Sequence, residues 1–208
     1  ALRATEGKLD GDWHALITTL VLALDLRERD HTRRFLVFLP TYADLEAQHA
    51  ALSASAADLE ITALHSSVNV HECVAAMDAP HAGRRVVFLA TNIAESSVTI
   101  RDVSVVIDTC RALQVQWNDA NQRTVSRVVW CSRAACDQRA GRTGRTGPGE
   151  VFRLLPRKLY DDLASYEPAQ LLLSGLHAEF LKLASVRESL DPTGVLGRCL
   201  DPPPEGRA

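Results

Sequence analysis

The stretch that most constrains this chain is a run of five apolar residues, Phe35-Leu36-Val37-Phe38-Leu39, closed by Pro40. A run this short, apolar at odd and even positions alike, reads as a strand buried on both faces. Three further segments fit the same role: Ile61 to His65, Arg85 to Ala90 and Val103 to Asp108. Helical stretches lie between them. Asp12 can cap a helix running to Asp30, with Leu16, Ile17, Leu20, Val21 and Leu24 at helical spacing. Others run from Tyr42 to about Ser55 and from Asn69 to Met77. Strands alternating with helices through short connections predict a parallel sheet covered on both faces, an α/β layered domain. Such sheets carry their binding loops at the carboxyl ends of the strands, so a shared site is expected after Leu39, Leu64, Ala90 and Trp130.

The second half adds other elements. Leu113 to Trp117 and Thr124 to Trp130 flank Asn118-Asp119-Ala120-Asn121 and predict a hairpin. Ser132 can cap a helix running toward Arg142. Gly141, Gly144, Gly147 and Gly149 then break the chain before a last strand, Glu150 to Leu155. Two helices are expected beyond Pro156, Arg157 to Ser165 and Ala169 to Val186, ahead of the Pro-rich end at Asp201-Pro202-Pro203-Pro204.

Composition narrows the function classes. At 208 residues, 46% hydrophobic and 24% charged, the chain has ordinary globular usage. The most apolar stretch, Ala15 to Leu24, is too short for a membrane span and is interrupted by Thr18 and Thr19. Ala1 to Asp10 mixes both charge signs and lacks the apolar segment of a secretory signal. An odd count of five cysteines without close pairs suits a reducing, intracellular setting, nucleus or cytoplasm. Cys131 and Cys136 have no histidine at zinc-finger spacing and read as buried thiols, so no metal site is expected. The net charge of −3 excludes a uniformly basic nucleic-acid coat. Between Arg101 and Arg153, however, nine arginines face five acids, the footprint of an anion site.

Two segments concentrate chemistry. In Gln138-Arg139-Ala140-Gly141-Arg142-Thr143-Gly144-Arg145-Thr146-Gly147-Pro148-Gly149, a continuing helix would set Gln138, Arg142 and Arg145 on one face, with Arg139 turned roughly 100° away. Guanidinium forks match phosphate oxygens and stay charged when desolvated, so this face suits a phosphoryl group. A solvated basic helix end would carry the same residues. The second segment, Ala90-Thr91-Asn92-Ile93-Ala94-Glu95-Ser96-Ser97-Val98-Thr99-Ile100, offers hydroxyls and amides suited to phosphate and sugar oxygens, or simply a capped turn.

Together the two segments resemble motifs V and VI of the DEAH/RHA (DExH-box) family of ATP-dependent RNA helicases. Leu36 to Glu46 resembles motif IV, and His65-Ser66-Ser67 the motif that follows it. Leu200 to Pro204 is similar to the stretch at the start of that family's winged-helix region. The wording around Val106 to Val115 is most similar to plant-type members with zinc-finger modules.

The resemblance implies a second, C-terminal RecA-like domain over residues 1–166, with a β-hairpin insertion. Residues 167–208 would then be the short helical start of the winged-helix region. ATP would sit between this domain and a preceding RecA-like domain that holds the phosphate loop, the DEAH carboxylates and Mg²⁺. This sequence contains neither GxxxxGK[ST] nor DEAH, so alone it is expected to be inactive. Arg142 and Arg145 would be arginine fingers, with Gln138 positioning the γ-phosphate or the attacking water. Met77, Thr99 and Asp102 would lie near the nucleotide. Thr41, Ser66, Ser67, Thr91, Arg111 and Arg127 would grip single-stranded RNA through its backbone, largely independently of sequence, and no membrane is involved. Met77 stands where the family often stacks an aromatic on adenine, Arg101 where it often has an acid, and Tyr42 where motif IV often has Gln. A non-catalytic RNA-binding or scaffolding protein on the same fold is the alternative.

Overall fold

The computed structural model describes residues 11–56, 58–65, 83–96, 100–145, 147–186 and 191–203. Its centre is a five-stranded parallel sheet of β1 (Arg34–Phe38), β2 (Leu59–Leu64), β3 (Arg85–Ala90), β4 (Val103–Asp108) and β7 (Glu150–Arg153). The strand order is β2-β3-β1-β4-β7. β3 and β4 are buried along their whole length, as runs apolar on both faces require. The expected helix at Asn69 to Met77 lies outside the described residues.

Side chains alternate across the sheet. Phe35, Val37, Val87, Leu89, Val105 and Ile107 pack beneath α1 (Gly11–Arg27) and α2 (Tyr42–Ser55). Leu36, Phe38, Val86, Phe88 and Val106 face the other way, with Ala94 of the short α3 (Ile93–Ser96) and Ile100. The buried face of α1 is rotated from the expected stripe. Leu16 is 51% exposed, whereas His14, Ile17, Thr18, Val21 and Leu24 are buried. A polar rung explains the shift: the buried Gln48 of α2 lies 2.9 Å from His14 Nδ1 and donates to Thr18 Oγ1 at 2.9 Å. Apolar periodicity alone carries no trace of such a bond.

The fully buried Arg85 ties the chain together at the opposite end of the strands. It pairs with Asp25 at 2.8 Å, donates to the carbonyls of Glu28, Asp30 and Arg33, and lies over the Phe35 ring.

β5 (Arg111–Asn118) and β6 (Arg123–Trp130) form the predicted hairpin. The chain divides into two compact units, Ala1–Leu113 with Val128–Tyr166, and Gln114–Arg127 with Glu167–Ala208. Within the first, α4 (Arg133–Ala140) and α5 (Arg157–Asp161) flank a satellite core of Cys110, Cys131, Cys136, Leu155 and Leu163. In the second, the helix expected from Ala169 to Val186 is two, α6 (Gln170–Leu173) and α7 (His177–Val186), followed by α8 (Pro192–Leu196). A Cβ on Gly175, in the break, would lie 2.9 Å from the Trp117 ring. No described helix is long and apolar enough to cross a membrane.

Candidate functional site

α4 begins as the sequence predicts, with the Ser132 hydroxyl accepting from the Ala135 amide at 3.1 Å. It ends earlier than expected, at Ala140, where the Gly141 amide donates to the Asp137 carbonyl at 2.9 Å. Arg142 and Arg145 therefore do not continue the Gln138 face. They lie on a glycine-punctuated loop shaped by two constraints. Gly144 has φ +78°, a left-handed conformation that strains any other residue. At Gly149, a Cβ would lie 1.8 Å from Thr143 Oγ1 and 3.1 Å from the Ser104 carbonyl oxygen. That closeness lets the Thr143 hydroxyl donate to the Val103 carbonyl at 2.7 Å, fastening the loop to the start of β4.

Arg139, which the sequence reading set aside, is the fixed point beneath this loop. Its fully buried guanidinium pairs with Asp108 at 2.7 Å and Glu95 at 2.6 Å, donates to the Arg111 carbonyl, and lies over the Phe38 ring. Burial works against its charge, but Asp108, Cys131 and Glu95 outweigh it and raise the Arg139 pKa. Burial in turn raises the Asp108 carboxyl, opposed by Arg139. The triad joins β1, α3, β4 and α4. Nothing in the arginine spacing distinguishes Arg139 from its neighbours; only the distant partners do.

The three side chains read as catalytic have different surroundings. Gln138 is exposed on α4. Arg145 is exposed, donates to the Gly141 carbonyl at 3.2 Å, and makes no ion pair among the described residues. Arg142 is 9% exposed and donates to the backbone carbonyl of Glu95. Burial and then the Arg145 charge lower its pKa, with Glu95 pulling the other way. Two guanidiniums thus crowd one loop.

The sequence places a shared site at the carboxyl edge, after Leu39, Leu64, Ala90 and Trp130. Thr41 and Thr91 do follow β1 and β3 at that edge, each partly occupied by local bonds. Thr41 caps α2, accepting from the Asp44 amide and donating to the Asp44 carboxylate at 2.5 Å. Thr91 is 5% exposed and starts α3. Beside them the Tyr42 and His65 rings lie 5.0 Å apart. Asp102, at φ +57°, lies at the opposite, amino edge, where it lines an open cavity of about 310 Å³ with Arg33 and Pro148. A six-residue strand separates the two edges by roughly 20 Å.

Arg111 is corrected as an RNA contact. It is 7% exposed and held between the Trp13 and Trp130 rings, 5.2 and 4.5 Å from their centroids, so its charge anchors the hairpin base. Arg127 is exposed. Ser66, Ser67, Met77 and Thr99 lie outside the described residues.

Cys131 and Cys136, read from the sequence as buried thiols, are buried and share a satellite core with Cys110. The neighbouring Cys110 and Cys131 thiols pull the Cys136 thiol down to about 3 against its burial. The same proximity, with burial, pushes Cys110 and Cys131 upward.

Comparison with known proteins agrees with this geometry. The helicase conserved C-terminal domain family matches residues 14–147. The DExH-box ATP-dependent RNA helicase DExH8 of Arabidopsis thaliana is 42% identical over 190 residues, covering 90% of this chain and 19% of the relative. The zinc finger CCCH domain-containing protein 4 of Oryza sativa subsp. japonica is 39% identical, covering 96% of this chain and 20% of that protein. The chain thus spans about a fifth of the length of these two relatives. A crystal structure of the E. coli DExH-box NTPase HrpB superposes with a TM-score of 0.72 at 26% identity, covering 81% of this chain and 21% of that one. Sheet order, hairpin, glycine-broken arginine loop and family match converge: this chain belongs to the helicase conserved C-terminal domain family, in its DExH/DEAH-box branch.

Proposed function

We propose that this domain supplies one half of the ATP site of an ATP-dependent RNA helicase, and that its sheet edge grips single-stranded RNA. The observation that carries the reading is the arginine loop. Arg145 points into solvent, with no ion-pair partner among the described residues, beside Arg142, whose charge it opposes, on a loop anchored by Thr143 and the buried Arg139 triad. Two crowded guanidiniums on a fixed base are stabilised by a polyanion held opposite them.

In this reading the γ-phosphate of ATP sits on a preceding RecA-like domain and meets Arg145 and Arg142 when the two domains close. Arg142 exchanges its bond to the Glu95 carbonyl for phosphate oxygens, and Gln138 orients the γ-phosphate or the attacking water. The loop fits a triphosphate and not its Mg²⁺, since it offers an amide and two cations rather than the hard oxygen ligands that ion takes. The ion therefore belongs to the partner domain, and this domain alone hydrolyses nothing. Thr41 and Thr91 contact RNA phosphate or sugar oxygens at the carboxyl edge, where the Tyr42–His65 pair offers a stacking surface. Asp102, Met77 and Thr99 are assigned to the nucleotide side, and Ser66, Ser67 and Arg127 to the RNA side.

RNA-stimulated ATP hydrolysis by the full-length protein tests this. Arginine fingers contribute about 10³- to 10⁵-fold in related phosphoryl transfers, so Arg145→Ala and Arg142→Ala should each lower turnover at least ~10²-fold. ATP affinity should change far less. Unchanged turnover in both variants removes the assignment, and an inactive wild type that still binds RNA supports a scaffold.

A further inference from the structure

Away from the arginine loop, the densest group of reactive side chains gathers at the carboxyl end of β4. Cys110 arrives from the turn after β4, Cys131 from the end of β6 and Cys136 from α4; all three are buried and unbridged. Asp108, also fully buried, joins them. Its Oδ1 accepts from Arg139 at 2.7 Å and from the Cys110 amide at 2.8 Å, while its Oδ2 is buried with no hydrogen-bond partner among the described residues.

Three further observations concern the donors. An Asp108 carboxylate oxygen and the Cys110 and Cys136 Sγ atoms all lie within 4.8 Å of one another. Cys131 neighbours Cys136 in the same satellite core, outside that group of three donors. Cys110 holds φ +55°, a left-handed conformation that a side-chain-bearing residue adopts at a cost and keeps only where its surroundings fix it.

Tetrahedral zinc sites have Zn–S near 2.3 Å and Zn–O near 2.0–2.2 Å, which sets ligand atoms roughly 3.5–3.8 Å apart. A contraction of at most about 1.3 Å would bring the Asp108, Cys110 and Cys136 donors to those separations. Thiolates select soft or borderline ions over Mg²⁺ and Ca²⁺. We propose that Asp108, Cys110 and Cys136 form a binding site for a thiophilic metal ion, Zn²⁺ foremost, with Cys131 drawn in from the adjoining core as the fourth ligand. The ion displaces the thiol protons to solvent and occupies the unpartnered side of Asp108, while Arg139 offsets the remaining negative charge. It would link β4, β6 and α4 at the base of the arginine loop.

Metal titration of the reduced 208-residue chain tests this, using Zn²⁺ with mass detection and Co²⁺ as the spectroscopic probe. The expected result is one ion per chain, with the intense visible bands of tetrahedral cobalt and thiolate-to-metal absorption in the near ultraviolet. Cys73→Ala/Cys199→Ala, which removes the other two cysteines, should bind as the wild type does. Cys136→Ala should weaken binding at least ~100-fold. No stoichiometric ion, octahedral cobalt bands, or loss of binding in the Cys73/Cys199 variant would each overturn the site. Should Cys136→Ala fail to fold, the wild-type and Cys73/Cys199 titrations decide alone.

Discussion

Arg139, Arg142 and Arg145 are chemically one residue type within seven positions, and the fold gives them three environments. Arg139 is enclosed by two carboxylates and an aromatic ring, Arg142 is mostly buried against a carbonyl, and Arg145 is open to water. Replacing Arg139 by Met would leave Asp108 as an uncompensated buried carboxylate, which costs about 3–5 kcal/mol. Denaturant unfolding of the metal-free chain should show that loss. Adding Asp108→Leu to Arg139→Met should recover much of it, because removing both members of a buried pair is far less costly than removing one. A loss under about 1 kcal/mol for Arg139→Met would contradict the reading of Arg139 as the fixed point. The motif itself was legible in the sequence. The division of labour within it was not, because Asp108 and Glu95 lie 31 and 44 residues away along the chain. Arg111 teaches the same lesson: its tryptophan partners come from α1 and from the far end of the hairpin.

At the scale of elements, the legible parts are those whose signal is local. β1 and β3 read out because five apolar residues in a row leave little alternative, and β3 and β4 carry the expected boundaries. Helix ends set by tertiary contacts did not read out. α4 stops at Gly141 rather than reaching Arg142, and the Ala169–Val186 helix breaks where Gly175 admits the Trp117 ring. Gly149 deserves a direct test, since its missing Cβ is what lets Thr143 hold the loop against β4. Gly149→Ala should push the Thr143 hydroxyl off the Val103 carbonyl and cost about 1–3 kcal/mol of stability by overpacking. In the full-length protein it should also lower RNA-stimulated ATP turnover about tenfold with ATP affinity kept, the signature of displaced transition-state contacts. Wild-type turnover in Gly149→Ala would mean that the loop needs no such anchor.

At the scale of the molecule, the parallel sheet carries loops at both ends of its strands. Hydroxyls and an aromatic pair gather where β1, β2 and β3 end, while Thr143 and Gly149 lie against the start of β4. The sequence carried the membership of both groups through their motifs. It did not carry their separation, because only the strand directions assign each loop to an edge. Such a division suits a domain that couples phosphate chemistry at one place to a polymer held at another. The most direct measurement is trapping of ADP with aluminium fluoride, a mimic of the transferred phosphoryl group, by the full-length protein bound to RNA. Wild type should retain the complex, and Arg142→Ala/Arg145→Ala should lose it at least ~100-fold while binding ADP alone equally well. Equal trapping by the two proteins would contradict the claim that this loop completes the ATP site.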